Sequence, residues 1–142
     1  MTTRGELSQI GAEANGHTTL MVATLNGDLR AVKDLIKVGA DINSRNREGR
    51  TALMFALINM HSECAMELLK AGAQVNTTAK DGCTALMLAV SSGDKKSVEE
   101  LLRKGADVSA RYVGSGQTAL SLAKERGYED IALLLKEAGA KE

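Results

Sequence analysis

The sequence has few of the residues on which several classes of protein depend. Its 142 residues include no proline, no tryptophan, two tyrosines and one phenylalanine, and its 18 basic residues balance 18 acidic ones. A surface that binds nucleic acid needs excess positive charge for the phosphates and aromatic rings against which unpaired bases stack. We therefore expect no nucleic-acid partner.

Long apolar runs are also missing. No stretch of about 18 apolar residues that could cross a bilayer occurs, and the first residues, MTTRGELSQIGAE, contain no apolar segment of a secretory signal. Two cysteines are too few for a disulfide scaffold, while a hydrophobic share of 44% is enough for a core. These features predict one soluble, cytoplasmic domain over residues 1–142, with free thiols and no membrane partner.

What the chain does contain is a regular repeat. A leucine, an alanine and a Gly-Ala pair lie two, five and 21 residues after each of four threonines. The threonines recur at spacings of 33, 33 and 34 residues, at Thr18, Thr51, Thr84 and Thr118. A period this strict is typical of an array of stacked structural units. The extra residue of the third spacing lies between Tyr112 and Gln117.

The segments that begin at these threonines read TTLMVA, TALMFA, TALMLA and TALSLA. They resemble the ankyrin repeat, whose period is about 33 residues and whose signature is T-P-L-H-x-A. The resemblance implies an all-α fold, an ankyrin-repeat solenoid of four helix-turn-helix repeats joined by β-turn or hairpin-like loops. The repeats would span about residues 13–45, 46–78, 79–112 and 113–142, after a leader of residues 1–12.

The register also predicts how the helices begin and end. Each repeated threonine is placed to cap the first helix of its repeat, and Asp28 and Asp94 are placed to cap second helices. Gly39, Gly72 and Gly105 suit the left-handed residue that follows a helix. Methionine replaces the signature's histidine at positions 21, 54 and 87, where we expect it to fill the core rather than to bind a ligand.

The last repeat is predicted to be a polar C-terminal cap. Ser121, Lys124 and Lys136 replace residues of the earlier repeats that, apart from Thr24, are apolar, and a terminal repeat needs a polar outer face. We therefore expect the array to end where this sequence ends. At the other end, Leu7 and Ile10 either cover the first repeat or belong to a disordered leader.

Few residues are suited to catalysis or metal binding. His61 and Cys64 lie three residues apart near the start of a helix, but a zinc site needs four ligands, or three and a water. A structural role is the stronger interpretation, because no oriented base, oxyanion hole or catalytic motif accompanies them. Cys83 is expected to be an exposed thiol in a loop. We predict no enzymatic activity, no cofactor and no metal.

The resemblance implies instead a binding surface for another protein. A partner would dock on the concave face, against the outward positions of the first helices and the loop tips. Carried over by register, these positions are Leu25, Asn26, Arg45, Arg47, Glu48, Arg50, Ile58, Asn59, Met60, Lys80, Asp81, Ser91, Ser92 and Tyr112. Tyr112 is either an anchor at a loop tip or a packed loop residue.

The second repeat differs from the others at one of these positions. Met60 replaces a glycine of the other repeats, and a positive φ there would make the methionine cost about 1 kcal/mol. We hypothesise that a partner places apolar side chains near Leu25, Ile58 and Met60, while the arginines at positions 45, 47 and 50 contact its acidic or carbonyl groups. The alternative is that the apolar residues pack internally and the arginines are solvated.

Two other interpretations stay open. The chain could be a structural subunit, inhibiting a neighbouring enzyme or driving its oligomerisation, although we expect it to be monomeric alone. The resemblance also allows hydroxylation of Asn43 and Asn76, which would require an animal host.

Overall fold

The structure is a computed structural model that describes residues 16–141. These residues form eight α-helices and no strand. The helices are α1 (Thr19–Leu25), α2 (Leu29–Lys37), α3 (Ala52–Ile58), α4 (Ser62–Lys70), α5 (Ala85–Ser91), α6 (Lys95–Arg103), α7 (Ala119–Arg126) and α8 (Glu129–Glu137). The predicted all-α, helix-turn-helix fold is confirmed. The predictions for Leu7 and Ile10 lie outside the described residues.

The chain divides into two compact units, whose described parts are residues 16–74 and 75–141. In the first unit α1 packs on α3 and α2 packs on α4, so two helix pairs stack side by side. In the second unit α5 packs on α7 and α6 packs on α8 in the same way. Each unit thus contains two helix-turn-helix pairs.

The repeated threonines begin the first helix of each pair. Each Oγ1 accepts a hydrogen bond from the backbone N–H three residues later, at distances of 3.2, 3.4, 3.3 and 3.1 Å along the chain. In the first and last pairs the bond is reciprocal: the N–H of Thr18 donates to Met21 Sδ, and the N–H of Thr118 donates to Ser121 Oγ. The predicted caps are confirmed.

The second helices differ in how they begin but end alike. Asp28 and Asp94 accept hydrogen bonds from backbone N–H groups of α2 and α6, each at 3.1 Å, which confirms the predicted caps. α4 and α8 follow His61 and Tyr128, which make no capping side-chain bond. The glycines at 39, 72 and 105 have φ of 91°, 95° and 89°, as expected of the left-handed residue after a helix.

The core consists of thin layers between neighbouring helices. Met21, Met54 and Met87 are at most 1% exposed, so the methionine row fills the core as predicted. The repeated alanines are also buried, and their small side chains let the first helices approach each other. On the last repeat, Ser121 and Lys136 are exposed, as is Lys124, which agrees with the predicted polar face.

The loops are hairpin-like turns without strands. The N–H of Asn46 donates to the carbonyl of Arg50, and that of Ala79 to the carbonyl of Cys83, both at 2.9 Å. In the last loop the N–H of Tyr112 donates at 2.9 Å to Gln117, five residues later instead of four. The extra residue of the third spacing is therefore accommodated inside this turn.

Candidate protein-interaction surface

Three apolar side chains lie at the ends of α1 and α3 in the first unit. Ile58 is 40% exposed, Met60 is 62% exposed and Leu25 is half-buried. The carbonyl of Leu25 lies 3.5 Å from Asn59 Nδ2 and 3.3 Å from His61 Nε2, so the turn after α3 rests against the end of α1. We call the set of Leu25, Ile58 and Met60 the apolar turn surface.

Met60 has an unusual backbone conformation. Its φ is 60°, and among residues 16–141 no other residue except glycine has a positive φ. The equivalent residues of the other repeats are Gly27, Gly93 and Gly127, with φ of 68°, 68° and 75°. The condition stated for Met60, a positive φ at the position of these glycines, is therefore met. A side chain in this region costs about 1–2 kcal/mol because Cβ crowds the following carbonyl oxygen.

The side chain of His61 is used for packing. A Cβ built on Gly27 would lie 2.6 Å from His61 Cε1, so the imidazole ring occupies the space that a larger residue at position 27 would need. Cys64 is buried, and burial raises the pKa of its thiol, as do the carboxylates of Asp28 and Glu63 to a smaller extent. Such a thiol remains protonated and is a poor nucleophile or metal ligand. These contacts favour the structural interpretation of His61 and Cys64.

The loop tip of the first unit carries the predicted charged residues. Arg45, Arg47 and Glu48 are exposed, and Arg45 Nε donates to the carbonyl of Gly49 at 3.3 Å. Arg50 is different, because its side chain is 19% exposed and its Nε lies 3.4 Å from Glu48 Oε2. Arg47 and Arg45 are therefore better placed than Arg50 to contact a partner.

The second unit contains the remaining predicted positions. Ser91 and Ser92 are half-buried at the end of α5, whereas Lys80 and Asp81 are exposed in the loop before it. The backbone carbonyl of Asp81 accepts a hydrogen bond from the N–H of Val113 at 2.8 Å, which joins the loops of the two repeats. The side chains at these four predicted positions are polar or charged, unlike those of the apolar turn surface.

The prediction that Cys83 is exposed is wrong. Cys83 is 1% exposed because the next loop covers it, and the hydroxyl of Tyr112 donates to its Sγ at 3.3 Å. The backbone of that loop comes so close that a Cβ on Gly82 would lie 2.4 Å from the carbonyl oxygen of Arg111. Tyr112 is half-buried and packs within the loops, which favours the interpretation of a packed loop residue over that of an anchor at a loop tip.

Asn43 and Asn76 connect neighbouring loops. Asn43 Oδ1 accepts from the N–H of Gln74 at 2.9 Å, and Asn76 Oδ1 accepts from the N–H of Asp107 at 2.7 Å. Asn76 also donates through Nδ2 to the carbonyl of Gly105 at 3.1 Å. Both amides thus have structural contacts in the described chain, and hydroxylation at these positions stays a prediction.

Leu133 and Val113 were not among the predicted site residues. They are 57% and 73% exposed, the latter at the tip of the longest loop. The repeat register could have identified Leu133 as unusual, because the first and third repeats carry the charged residues Lys33 and Glu99 at its position.

The sequence matches a family model described as ankyrin repeats, three copies, over residues 20–112 and again over 79–142. The chain belongs to the ankyrin repeat family. Ankyrin repeats are generally protein-protein interaction modules and are typically not catalytic. No curated protein matches the sequence significantly.

None of the helices between residues 16 and 141 has the length and apolar character needed to span a membrane. In the same part of the chain, no three His, Cys, Asp or Glu side chains are grouped as a metal ion would require.

Proposed function

We propose that this ankyrin-repeat chain is a non-catalytic module that binds a partner protein through the apolar turn surface and the loop tips. We further propose that it acts as a monomer in the cytoplasm, with neither nucleic acid nor membrane as its partner. The observation that carries the proposal is Met60, a large apolar residue that is both strained and 62% exposed.

The strain at Met60 supports a role in binding. Glycine occupies the equivalent position of the other three repeats without strain, and an exposed methionine recovers little energy from packing in the free chain. Strained residues often occur at functional sites, where the side chain is needed for contact with another molecule. Methionine is also an adaptable residue that is frequently used at binding surfaces.

The surroundings of Met60 resemble those of a protein interface. Ile58 adds a second exposed apolar side chain, and Asn26 and Asn59 are exposed polar neighbours in sequence. Interfaces commonly combine a small apolar centre with a polar edge that provides hydrogen bonds. Arg47, exposed at the loop tip of the same unit, could bind a carboxylate or carbonyl group of the partner.

The test uses two matched variants in a pull-down from the native host. Ile58→Lys places a charge in the apolar turn surface, and Val38→Lys places the same charge at another exposed apolar residue of the same unit. Both sites lie at helix ends where a lysine suits the dipole, so both variants are expected to fold. Circular dichroism and thermal unfolding verify this before the pull-down.

We expect a protein that is retained by the native chain and by Val38→Lys but lost with Ile58→Lys. The purified partner should then bind Ile58→Lys at least about tenfold more weakly, because one central apolar contact at an interface contributes about 1–3 kcal/mol. Equal capture by all three chains would contradict the proposed site. Sedimentation of the chain alone supplies a second test, because a mass that rises with concentration would support a self-associating subunit instead.

A further inference from the structure

The sulfur-containing side chains differ widely in their exposure to water. Those that are at most 2% exposed are Met21, Met54, Cys64, Cys83 and Met87. Met66, on α4, is half-buried. Met60 is 62% exposed, and no other cysteine or methionine between residues 16 and 141 lies mostly in water. A small reagent that attacks sulfur therefore reaches Met60 first.

Access to Met60 is open from a groove beside it. The groove has a volume of about 350 Å³, is lined also by Gly27 and Leu29, and lies within the first unit. A water molecule occupies about 30 Å³ in the liquid, so a peroxide molecule of similar size enters freely. Met21 is the opposite case, because its Sδ lies in the core and accepts a hydrogen bond from the N–H of Thr18 at 3.4 Å. An oxidant reaches such a sulfur only when the chain opens locally.

Hydrogen peroxide oxidises an accessible thioether in one two-electron step. The sulfur lone pair of Met60 attacks one peroxide oxygen, the O–O bond breaks and an S–O bond forms. The proton on the transferred oxygen passes to the departing hydroxide, so the products are methionine sulfoxide and water. The thiols compete poorly, since peroxide reacts with the thiolate and both Cys64 and Cys83 are buried.

A sulfoxide at position 60 is compatible with the fold. The side chain is exposed, and the strain of this residue is in the backbone, whose φ of 60° does not depend on the oxidation state of the sulfur. Glycine occupies the equivalent position of the other three repeats, so the repeat needs no side chain there. A sulfoxide on the buried Met54 would instead place a polar oxygen in a close-packed core. Oxidation at position 60 thus changes the surface and leaves the core intact.

The same oxidation changes the chemistry of the apolar turn surface. The new oxygen accepts hydrogen bonds from water, and a partner that covers it with apolar groups must remove that water. The neighbouring side chains of this surface, Leu25 and Ile58, have no group that could donate to it. We propose that Met60 is a reversible oxidation site at which peroxide weakens binding to the apolar turn surface. The site itself follows from the exposure of the sulfur, whereas the weaker binding rests on the proposed function.

Reversal requires a reductant that reaches the exposed turn. Methionine sulfoxide reductases, one for each epimer, transfer the oxygen to water while two thiols become a disulfide. The balance is one sulfoxide and two thiols on one side, and one thioether, one disulfide and one water on the other. Because Met60 lies at a surface turn, the folded chain is itself the expected substrate.

Peptide mapping of the full chain after brief exposure to dilute hydrogen peroxide tests the site. Trypsin, which cleaves after lysine and arginine, releases residues 51–70 as one peptide that contains Met54, Met60 and Met66. Fragmentation of this peptide compares a buried, an exposed and a half-buried methionine in one measurement. We expect Met60 to gain an oxygen, about 16 Da, at least about tenfold faster than Met54 and severalfold faster than Met66. In concentrated urea the three rates should become similar.

The oxidised chain is then compared with the untreated one. Circular dichroism should be unchanged, and the Tm should differ by no more than about 1 °C, because the core is intact. Treatment with both reductases and dithiothreitol should restore the original mass. A loss of helix when Met60 alone is oxidised would overturn the inference.

Binding is measured with the protein that the native chain captures and Ile58→Lys does not. Peroxide is removed by catalase before this protein is added, so only the ankyrin-repeat chain is oxidised. We expect the oxidised native chain and the oxidised control Met66→Leu to bind about tenfold more weakly than before treatment. Met60→Leu, which keeps an apolar side chain without sulfur, should bind equally well before and after treatment.

Three further results would overturn the inference. They are equal oxidation rates of Met54 and Met60 in the folded chain, unchanged affinity after complete oxidation of Met60, and the same loss of affinity in Met60→Leu as in the native chain. Failure of the proposed function is recognised separately. If Ile58→Lys captures the same proteins as the native chain while Met60 is oxidised first, the proposed binding surface is wrong and the oxidation site stands.

Discussion

Replacing Met60 by glycine should stabilise the chain while weakening its binding to the partner. Most substitutions at a binding surface leave stability nearly unchanged or lower it. Here the binding residue is itself strained, with a φ of 60°. Removing its side chain should therefore have opposite effects on the free energy of unfolding and on affinity.

The magnitude follows from three contributions. Relief of the left-handed conformation stabilises the folded chain by about 1–2 kcal/mol. The greater freedom of glycine in the unfolded chain opposes this by about 0.4–1 kcal/mol. Loss of the packing of Met60 is small because the residue is 62% exposed. The net increase in the free energy of unfolding is about 0.5 kcal/mol, or about 1–2 °C in Tm.

A comparison of Met60→Gly with Met60→Ala tests the strain more directly than the absolute change in the free energy of unfolding does. Alanine removes most of the side chain but keeps the Cβ that causes the strain. Inside an ordinary helix, glycine is less stable than alanine by about 0.5–1 kcal/mol. At position 60 we expect the order to be reversed, with Met60→Gly more stable than Met60→Ala in urea unfolding. Both variants should bind the partner more weakly and to a similar extent, because both lack the methionine side chain.

Two results would refute this reasoning. If Met60→Gly is less stable than Met60→Ala, position 60 is not strained in solution. If both variants bind the partner as tightly as the native chain, the exposed methionine has no part in binding, and the observation that carries the proposed function is lost.

Further predictions concern close contacts and titrating groups. Gly82→Ala should lower the free energy of unfolding by about 1–3 kcal/mol more than Gly114→Ala does. Both glycines have a positive φ, but of the two only Gly82 would place a Cβ against backbone atoms. Urea unfolding measures the difference, and equal losses would contradict the contact. The pKa of the Cys64 thiol is raised in the folded chain, so the free energy of unfolding should fall as the pH rises through the unfolded thiol's pKa of about 8.5 and towards the folded value. Cys64→Ala should reduce this pH dependence in urea unfolding. An identical dependence in both chains would contradict the prediction. The hydrogen bonds from the hydroxyl and the backbone N–H of Ser109 lower the pKa of Asp107, so Ser109→Ala should raise that pKa in an NMR titration. The stability that results from the lowered pKa of Asp107 is present above about pH 4 and is lost as the pH falls through the folded pKa. An unchanged pKa of Asp107 in Ser109→Ala would contradict the assignment.

The sequence predicted the features that depend on local chemistry. A threonine before a helix caps it through its own hydroxyl, and a glycine after a helix adopts a left-handed φ, whatever lies nearby. The positive φ at Met60 was also predictable, because the repeat register identifies the glycines that occupy its position elsewhere. The repeat thus determined the helices, the caps and the buried methionines.

Features that depend on contacts between repeats were not predictable in the same way. Cys83 lies in a loop and was predicted to be exposed, yet Tyr112 of the following loop covers it. The local sequence around Cys83 gives no sign of this contact. Arg50 was predicted to contact a partner, with a solvated loop as the alternative, but its side chain is only 19% exposed and its Nε lies 3.4 Å from Glu48 Oε2.

Site-specific photo-crosslinking in the native host tests the central claim most directly. A photoreactive phenylalanine derivative is placed at position 58 in one chain and at position 38 in another, two exposed positions of the same unit. The proposed function predicts a defined protein crosslinked from position 58 and absent from position 38. No crosslink from position 58, or the same set of proteins from both positions, would contradict a partner bound at the apolar turn surface.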